Sequence, residues 1–434
     1  MSDTEHLQAE IRRLKLENTS LRERCSGCSS TGNQSAAQSS PHHLSLQEYR
    51  RYGRQMQVPE FGGLTSQERL KSSSALIIGA GGLGSPALLY LAAAGIGRIG
   101  IVDHDVVDTT NLHRQIIHDT DTVNINKAES AKIRINALNP NVEVTTYCEP
   151  ITNTNSFKIV KDYDIVLDCS DNPATRYLIN DTCVKLDKTF VSGSGLRTEG
   201  QLTVLNFHRW GPCYRCFFPT PPPPNTVTSC SDGGVIGPCI GITGVMMAVE
   251  AIKVLTDYYT DDNFKPFLTV YNGYPQQKLR TFKMRGRVKG CKACDSDEIT
   301  KEDIESGEVD YEGWCGSMNY NVLDSAERIN VRDFSNEWEN DKNINPLIDV
   351  RAKEQYEIAH LSGSINIPYS ELSREVVLPE CIDPKKKTYV ICRFGRDSQL
   401  STRLLKEKLS DVKDVIGGLD AWKKEVDEDF PAYW

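Results

Sequence analysis

The chain has 434 residues, 39% of them hydrophobic and 25% charged, with a net charge of −9. These are globular values, and the length calls for two or three domains rather than one core. The acidic balance argues against a binder of nucleic acid or anionic membrane, so a ligand with phosphates would need a local basic site. The first residues, Met1-Ser2-Asp3-Thr4-Glu5-His6, lack an apolar signal core, and no run approaches the roughly 18 apolar residues of a membrane span. The expected compartment is cytoplasmic, where the 14 cysteines stay mostly reduced.

Residues 7–24 read as a charged helix, because Leu7, Ile11, Leu14, Asn18 and Leu21 step by four and three as a heptad seam does. So short a seam fits a weak coiled coil or a solvated helix docked on its own domain. From Ser26 to Pro41 the chain is a Ser/Gly/Gln/Asn linker, and Cys25-x-x-Cys28 beside it reads as incidental. Residues 1–44 thus precede the first domain. Over 45–294, apolar strands at Ala75–Ile78, Ile99–Val102 and Asp164–Leu167 alternate with helical stretches, which predicts a mostly parallel, Rossmann-like α/β sheet. Residues 295–326 are acidic and poorly periodic, as a linker is. A smaller α/β unit is expected over 327–434, with strands at Pro346–Val350 and Thr388–Ile391.

Gly79-Ala80-Gly81-Gly82-Leu83-Gly84 follows the first strand and opens the apolar helix Ser85–Ala94, the context that G-x-G-x-x-G requires. Such a loop offers backbone N–H groups and a positive helix end to a phosphate. Asp103, about twenty residues on, ends the next strand where a carboxylate can hold ribose hydroxyls. Alone, these features fit a dinucleotide dehydrogenase equally well. Arg114 and Lys127 shift the balance, since two cations near the loop suit a triphosphate with a leaving pyrophosphate. Asp171, at the end of a further strand, is placed to carry magnesium.

Cys213-x-x-Cys216 and Cys291-x-x-Cys294 supply four thiolates for a tetrahedral, structural zinc, one per chain, with no open position. Between the pairs, a proline run precedes Cys230, which stands in a loop. In the last unit, Thr388–Ile391 ends at Cys392, followed by Arg393-Phe394-Gly395-Arg396-Asp397-Ser398 and a helix. Backbone N–H groups and two arginines there predict an activated thiol of depressed pKa.

Residues from about 47 to 294 resemble the adenylating domain of the MoeB/ThiF branch of ubiquitin-activating enzymes. The matching stretches are Arg51-Tyr52-Gly53-Arg54-Gln55, the glycine loop, Asp103-His104-Asp105, Asn111-Leu112-His113-Arg114-Gln115, Lys127 and Asp171-Asn172. The resemblance implies that Gly82, Asp103, Thr110, Asn111, Leu112, His113, Arg114, Lys127, Asp171 and Asn172 contact ATP and its Mg2+. It implies that Arg54 reaches the phosphates of the partner subunit in a homodimer, and that Cys230 is a reactive cysteine, whether by a thioester or a disulfide.

Residues from about 328 to 434 resemble a rhodanese domain. Ile348-Asp349-Val350-Arg351, His360 to Pro368, the Cys392 loop and Gly417-Gly418-Leu419-Asp420-Ala421-Trp422 match. Cys392 would then carry a persulfide. Asp397 makes the loop less basic, which favours a protein persulfide donor, such as a cysteine desulfurase or another rhodanese, over thiosulfate. The fusion resembles the eukaryotic adenylyltransferase-sulfurtransferases. These activate a ubiquitin-like sulfur carrier for transfer-RNA thiolation, for protein conjugation by the ubiquitin-related modifier, or for molybdenum cofactor biosynthesis. The alternative classes are an NAD-dependent oxidoreductase and a non-catalytic scaffold for sulfur-relay proteins.

Overall fold

The computed structural model describes residues 44–221, 233–296, 298–311, 320–340 and 343–434. The expected helix at 7–24, the Cys25–Cys28 pair and Cys230 lie outside the described residues. Ahead of the first strand the chain forms α1 (Leu46–Met56) and α2 (Gly63–Ser72).

The first sheet is built on β1 (Ser74–Ile78), every residue of which is buried. Its side chains alternate between two cores, Ala75 and Ile77 on one face, Leu76 and Ile78 on the other. A strand apolar on both faces belongs in the middle of a parallel sheet covered by helices on both sides. On one side lies β2 (Arg98–Val102), with β3 (Glu143–Tyr147) beyond it; on the other lie β4 (Ile165–Asp168) and β5 (Thr189–Leu196). These five run parallel. Then β6 (Glu199–Leu205), β7 (Phe267–Asn272) and β8 (Lys278–Lys283) extend the sheet antiparallel. The expected strand at Asp164–Leu167 sits one residue later, because the Asp164 carboxylate accepts from the Ser74 amide and hydroxyl at 2.8 and 2.7 Å. That shift puts Asp168 at the strand's carboxyl end.

One core takes α3 (Gly84–Ala94) and α4 (Lys127–Leu138); the other takes α5 (Ser156–Val160) and α6 (Pro173–Lys185). Each Leu or Ile buried this way contributes about 1.5–3 kcal/mol. Helix α7 (Gly237–Leu255), of mean hydropathy 1.6, is long and apolar enough to cross a membrane by length and composition. Here Ile240, Met247, Ala248 and Ala251 join the first core, and the helix packs against α3, β5 and β6.

The acidic segment after Cys294 is more ordered than its composition suggests. Thr300 and Asp303 close a capping box on α8 (Lys301–Ser306). Ile299, Ile304, Val309 and Tyr311 are buried against Phe157, Tyr177 and Leu178. Tyr311 donates to Asp181 Oδ2 at 2.8 Å, and the buried Arg215 grips the same carboxylate at 2.8 and 2.7 Å.

The second sheet has five parallel strands in the order β11-β10-β12-β13-β9: β9 (Arg328–Ile329), β10 (Ile348–Asp349), β11 (Ile365–Asn366), β12 (Thr388–Ile391) and β13 (Val412–Val415). Again the central strand is apolar on both faces: Tyr389 and Ile391 enter one core, Val390 and Cys392 the other. Among the helices around it are α9 (Val331–Asn340), α10 (Asp397–Leu405) and α11 (Gly418–Glu425).

Candidate functional site

A cavity of about 690 Å³ opens at the carboxyl ends of β1, β2 and β4. This is where open α/β sheets bind ligands, and the volume suits a nucleotide. Its floor is the glycine loop. Gly79 has φ +97°, and a side chain at Gly84 would collide with the Gly79 carbonyl oxygen, so the strand-to-helix turn closes only with glycine at both positions.

Asp103 fixes this loop from β2. Its carboxylate accepts from the Ala80 amide at 2.8 Å and the Asp105 amide at 3.0 Å. Burial pushes its pKa up, against the pull of Lys127 and of the two amides. From the far side, His118 contacts the Ala80 carbonyl oxygen at 3.1 Å through Nε2 and the Ser130 hydroxyl at 2.9 Å through Nδ1. One residue of the loop is thus held by both its amide and its carbonyl.

Lys127 stands at the start of α4 because Asn126 caps that helix and also donates to the carbonyls of Asp103 and Asp105, at 3.0 and 3.1 Å. The Lys127 side chain is 7% exposed, lines the cavity and meets Asp105 at 2.8 Å. Arg114 lines the same cavity, aimed by Asn111 Oδ1 at 2.6 Å and by the Thr110 carbonyl at 3.4 Å. Thr110 is itself set by an Asp108 cap. Of the expected nucleotide contacts, Gly82, Asp103, Arg114, Lys127, Asp171 and Asn172 line the cavity together, whereas Thr110, Asn111, Leu112 and His113 form the turn behind Arg114. Asn172 spends its side-chain oxygen capping α6, at 2.8 Å from the Thr175 amide. Arg54 is exposed on α1 and does not line the cavity of its own chain.

Sequence reasoning missed His118 and the buried Arg176, which bonds the Ser170 carbonyl at 2.9 Å and Ser192 at 3.2 Å and faces Asp168 at 3.8 Å under the cavity. It also missed Arg197, whose backbone pairs with Gly234 and Ile236. The described chain resumes at Gly233, three residues after Cys230, and Val235 lines the cavity.

The two C-x-x-C pairs meet. Cys213 is 3.9 Å from Cys216 and 3.6 Å from Cys291, and Cys216 is 3.6 Å from Cys294. Four sulfurs at Zn–S distances of about 2.3 Å in a tetrahedron stand about 3.8 Å apart, so this donor set fits zinc without rearrangement. Val184, Phe217, Val288 and Ala293 surround it. Arg287 ties the Cys294 carbonyl at 2.8 Å.

At the end of β12, Cys392 Sγ receives the Arg396 amide at 3.2 Å and faces the Ser398 hydroxyl at 3.2 Å. Leu419 and Asp420 donate their amides to the carbonyls of Cys392 and Arg393, at 2.9 and 3.0 Å. A side chain at Gly418 would strike the Cys392 carbonyl oxygen, so only glycine lets this second loop seat against the first. The expected depressed thiol is corrected here. Burial, with Asp397 second, raises the Cys392 pKa and outweighs the hydrogen bonds from Ser398 and the Arg396 amide. Arg393 and Arg396 lie over the Phe394 ring, at 4.6 and 5.8 Å from its centre.

Comparison with known proteins gives matches to both halves. The ThiF family matches residues 52–293 and the rhodanese-like domain residues 331–425. Over 99% of both chains, the protein is 51% identical to the adenylyltransferase and sulfurtransferase UBA4 of Debaryomyces hansenii and 52% identical to that of Candida albicans. Among solved structures, E. coli MccB with ATP superposes with a TM-score of 0.50 at 22% identity, over 59% of this chain and 76% of that one, a likeness of fold alone.

The His118 brace gives a pH signature. Burial pushes its pKa down to about 4, opposed by the Ala80 carbonyl and helped by Lys127. The unfolded value is about 6.5, so the folded state binds fewer protons. The stability that this neutral histidine contributes is full above about pH 6.5 and is lost as pH falls towards about 4. His118→Gln should lower the urea midpoint near pH 7.5 and flatten its fall between about pH 6.5 and 4. An unchanged slope in the variant would reject His118 as the group responsible.

Proposed function

The chain belongs to the ThiF family, with a rhodanese-like domain after its ThiF domain, and on that premise we propose that it adenylates the C-terminal glycine of a ubiquitin-like sulfur carrier with ATP and then converts it to a thiocarboxylate. The observation that carries this reading is one cavity that Lys127 and Arg114 line together with a glycine loop, followed in the same chain by a cysteine held in a loop at a helix N-terminus. The relatives' adenylyltransferase and sulfurtransferase names support it. A dehydrogenase would have no use for the two cations, and a scaffold none for the seated Cys392.

The carrier's carboxylate attacks the α-phosphorus of ATP, and pyrophosphate leaves. Arg114 and Lys127 neutralise the charge that grows on the departing oxygens. Lys127 is already desolvated, and its partner Asp105 is half-exposed and free to yield to phosphate. Asp171, an exposed carboxylate on the cavity rim, is the oxygen ligand through which magnesium would be held against the phosphates. A persulfide on Cys392 then attacks the acyl carbonyl and AMP leaves, which joins carrier to enzyme through an acyl disulfide. The Cys230 thiolate, five residues before the cavity-lining Val235, attacks the Cys392 sulfur, the thiocarboxylate leaves, and a cellular dithiol reduces the Cys230–Cys392 disulfide so formed. The Asp397 carboxylate beside Cys392 favours a protein persulfide as donor over thiosulfate. The carriers to test are the ubiquitin-related modifier of transfer-RNA thiolation and the small subunit of molybdopterin synthase, in the cytoplasm.

The test uses ATP, a persulfide donor and each candidate carrier, with the carriers weighed by mass spectrometry. Cys392→Ser should form carrier adenylate and no thiocarboxylate, while Lys127→Ala should fail in pyrophosphate exchange. The reverse pattern rejects the assignment.

Zinc held by Cys213, Cys216, Cys291 and Cys294 would be structural, since all four positions are protein thiolates. One zinc per chain is expected in purified protein, and Cys291→Ser should lose it together with thermal stability. A fully stable, zinc-free wild type would refute this.

Arg54 would act across a homodimer, because it is exposed and outside its own cavity, and a two-fold contact gives each site the partner's copy. Homodimers of Arg54→Ala and of Lys127→Ala should each be inactive, and mixing them should restore part of the activity. Proven subunit exchange without recovery would exclude the role.

A further inference from the structure

Cys392 is 2% exposed and burial raises its pKa, yet a thiol that takes up sulfur has to give up its proton as it attacks. So little exposure leaves solvent a poor acceptor for that proton. The Ser398 hydroxyl, itself fully buried in the first turn of α10, stands 3.2 Å from the sulfur. Behind it is Asp414 on β13, in register with Val390, two residues before Cys392. Asp414 is fully buried. Its Oδ2 accepts from Arg328 Nε at 2.8 Å. Its Oδ1 is buried without a hydrogen-bond partner, and the Ser398 hydroxyl stands near enough to the Asp414 carboxyl to stabilise its charged form. A carboxylate oxygen left unsatisfied in a core is costly and calls for a reason.

Building on the reading of Cys392 as a persulfide carrier, we propose that Asp414 and Ser398 form a buried proton path to it, in which Asp414 holds, through the Ser398 hydroxyl, the proton that Cys392 gives up. Asp414 and Ser398 are positioning residues here, acting on sulfur only through that chain. As the bond between Cys392 sulfur and the outer sulfur of a donor persulfide forms, the donor's own sulfur–sulfur bond breaks. The donor leaves as a thiolate and takes a proton from solvent. The Cys392 proton passes to Ser398 Oγ while the Ser398 proton passes to Asp414 Oδ1, so nothing is oxidised or reduced overall.

The charged groups around the path fit this direction. Asp397, the first residue of α10, opposes a thiolate. Arg328, on β9, holds the other oxygen of Asp414 at 2.8 Å. Arg393 and Arg396 lie over Phe394. Burial raises the Asp414 pKa as well as that of the thiol, so passing one proton between them leaves the net charge of the core unchanged. Making a thiolate by losing the proton to water would add a buried charge instead.

The test is the pH dependence of Cys392 alkylation by iodoacetamide in the full-length protein, followed on the Cys392 peptide by mass spectrometry. Asp414→Asn should move the midpoint up by about one unit, which is about tenfold slower alkylation at neutral pH. Ser398→Ala should move it the same way while leaving the Arg328–Asp414 pair in place, so it decides alone if Asp414→Asn fails to fold. The double variant should add little to either single change, as residues in series do. Profiles that match wild type in Ser398→Ala, or in a folded Asp414→Asn, overturn the path. Separately, wild type is incubated with glutathione persulfide and the Cys392 peptide is weighed for one added sulfur. Absence of that sulfur defeats the carrier reading, whereas the alkylation profiles judge the path by themselves.

Discussion

The Asp103 carboxylate is the constraint on which the nucleotide site depends. A loop of glycines is free to take many shapes, and a phosphate cradle requires one. Asp103 removes that freedom by accepting the Ala80 amide, and the same carboxylate accepts the Asp105 amide, which shapes the turn leading to Lys127's partner. His118 closes the bracket, reaching both the loop and, through Ser130, the helix that Lys127 begins. The residues that would touch ATP are therefore tied to each other before any ligand arrives. Little is left to reorganise when charge moves onto pyrophosphate.

The cysteines show how environment divides one side chain among tasks. Four converge at metal-binding distance in a small apolar pocket. Cys169 and Cys183 lie in the cores that flank the first sheet, with their thiols pushed far up by burial. Cys392 is as buried as these, and it stands beside both a hydroxyl and a backbone amide aimed at sulfur. Burial by itself makes a thiol inert, and what distinguishes Cys392 is the hydroxyl and the amide that reach its sulfur.

Much of this was legible in the chain because it is local. The glycine loop, the Arg114 and Lys127 positions, the C-x-x-C pairs and the apolar strands all follow from spacing over a few residues, and the parallel part of the first sheet follows from strand–helix alternation. His118 and Arg176 were not legible, since their roles depend on which distant backbone they meet. The Cys392 thiol was misjudged for the same reason. The amides and arginines beside it are local, while the Gly417–Leu419 segment that seats against its loop comes from some twenty-five residues away. The acidic stretch after Cys294 did carry a local signal, the Thr300–Asp303 capping box, that composition obscured.

The docking of that stretch sets the length of the tether between the two chemistries. Composition would let the chain swing freely from Asp295, but Tyr311 is bound to the Asp181–Arg215 pair on the ThiF domain. The described chain resumes at Tyr320, which already lies under Arg396 of the Cys392 loop, its ring centre 5.7 Å from the guanidinium carbon. A shorter leash confines the sulfur-bearing loop to a smaller volume around the adenylate. It raises the local concentration of Cys392 at the adenylate. A labile acyl-adenylate would then meet its own chain's sulfur sooner than water or a stray thiol.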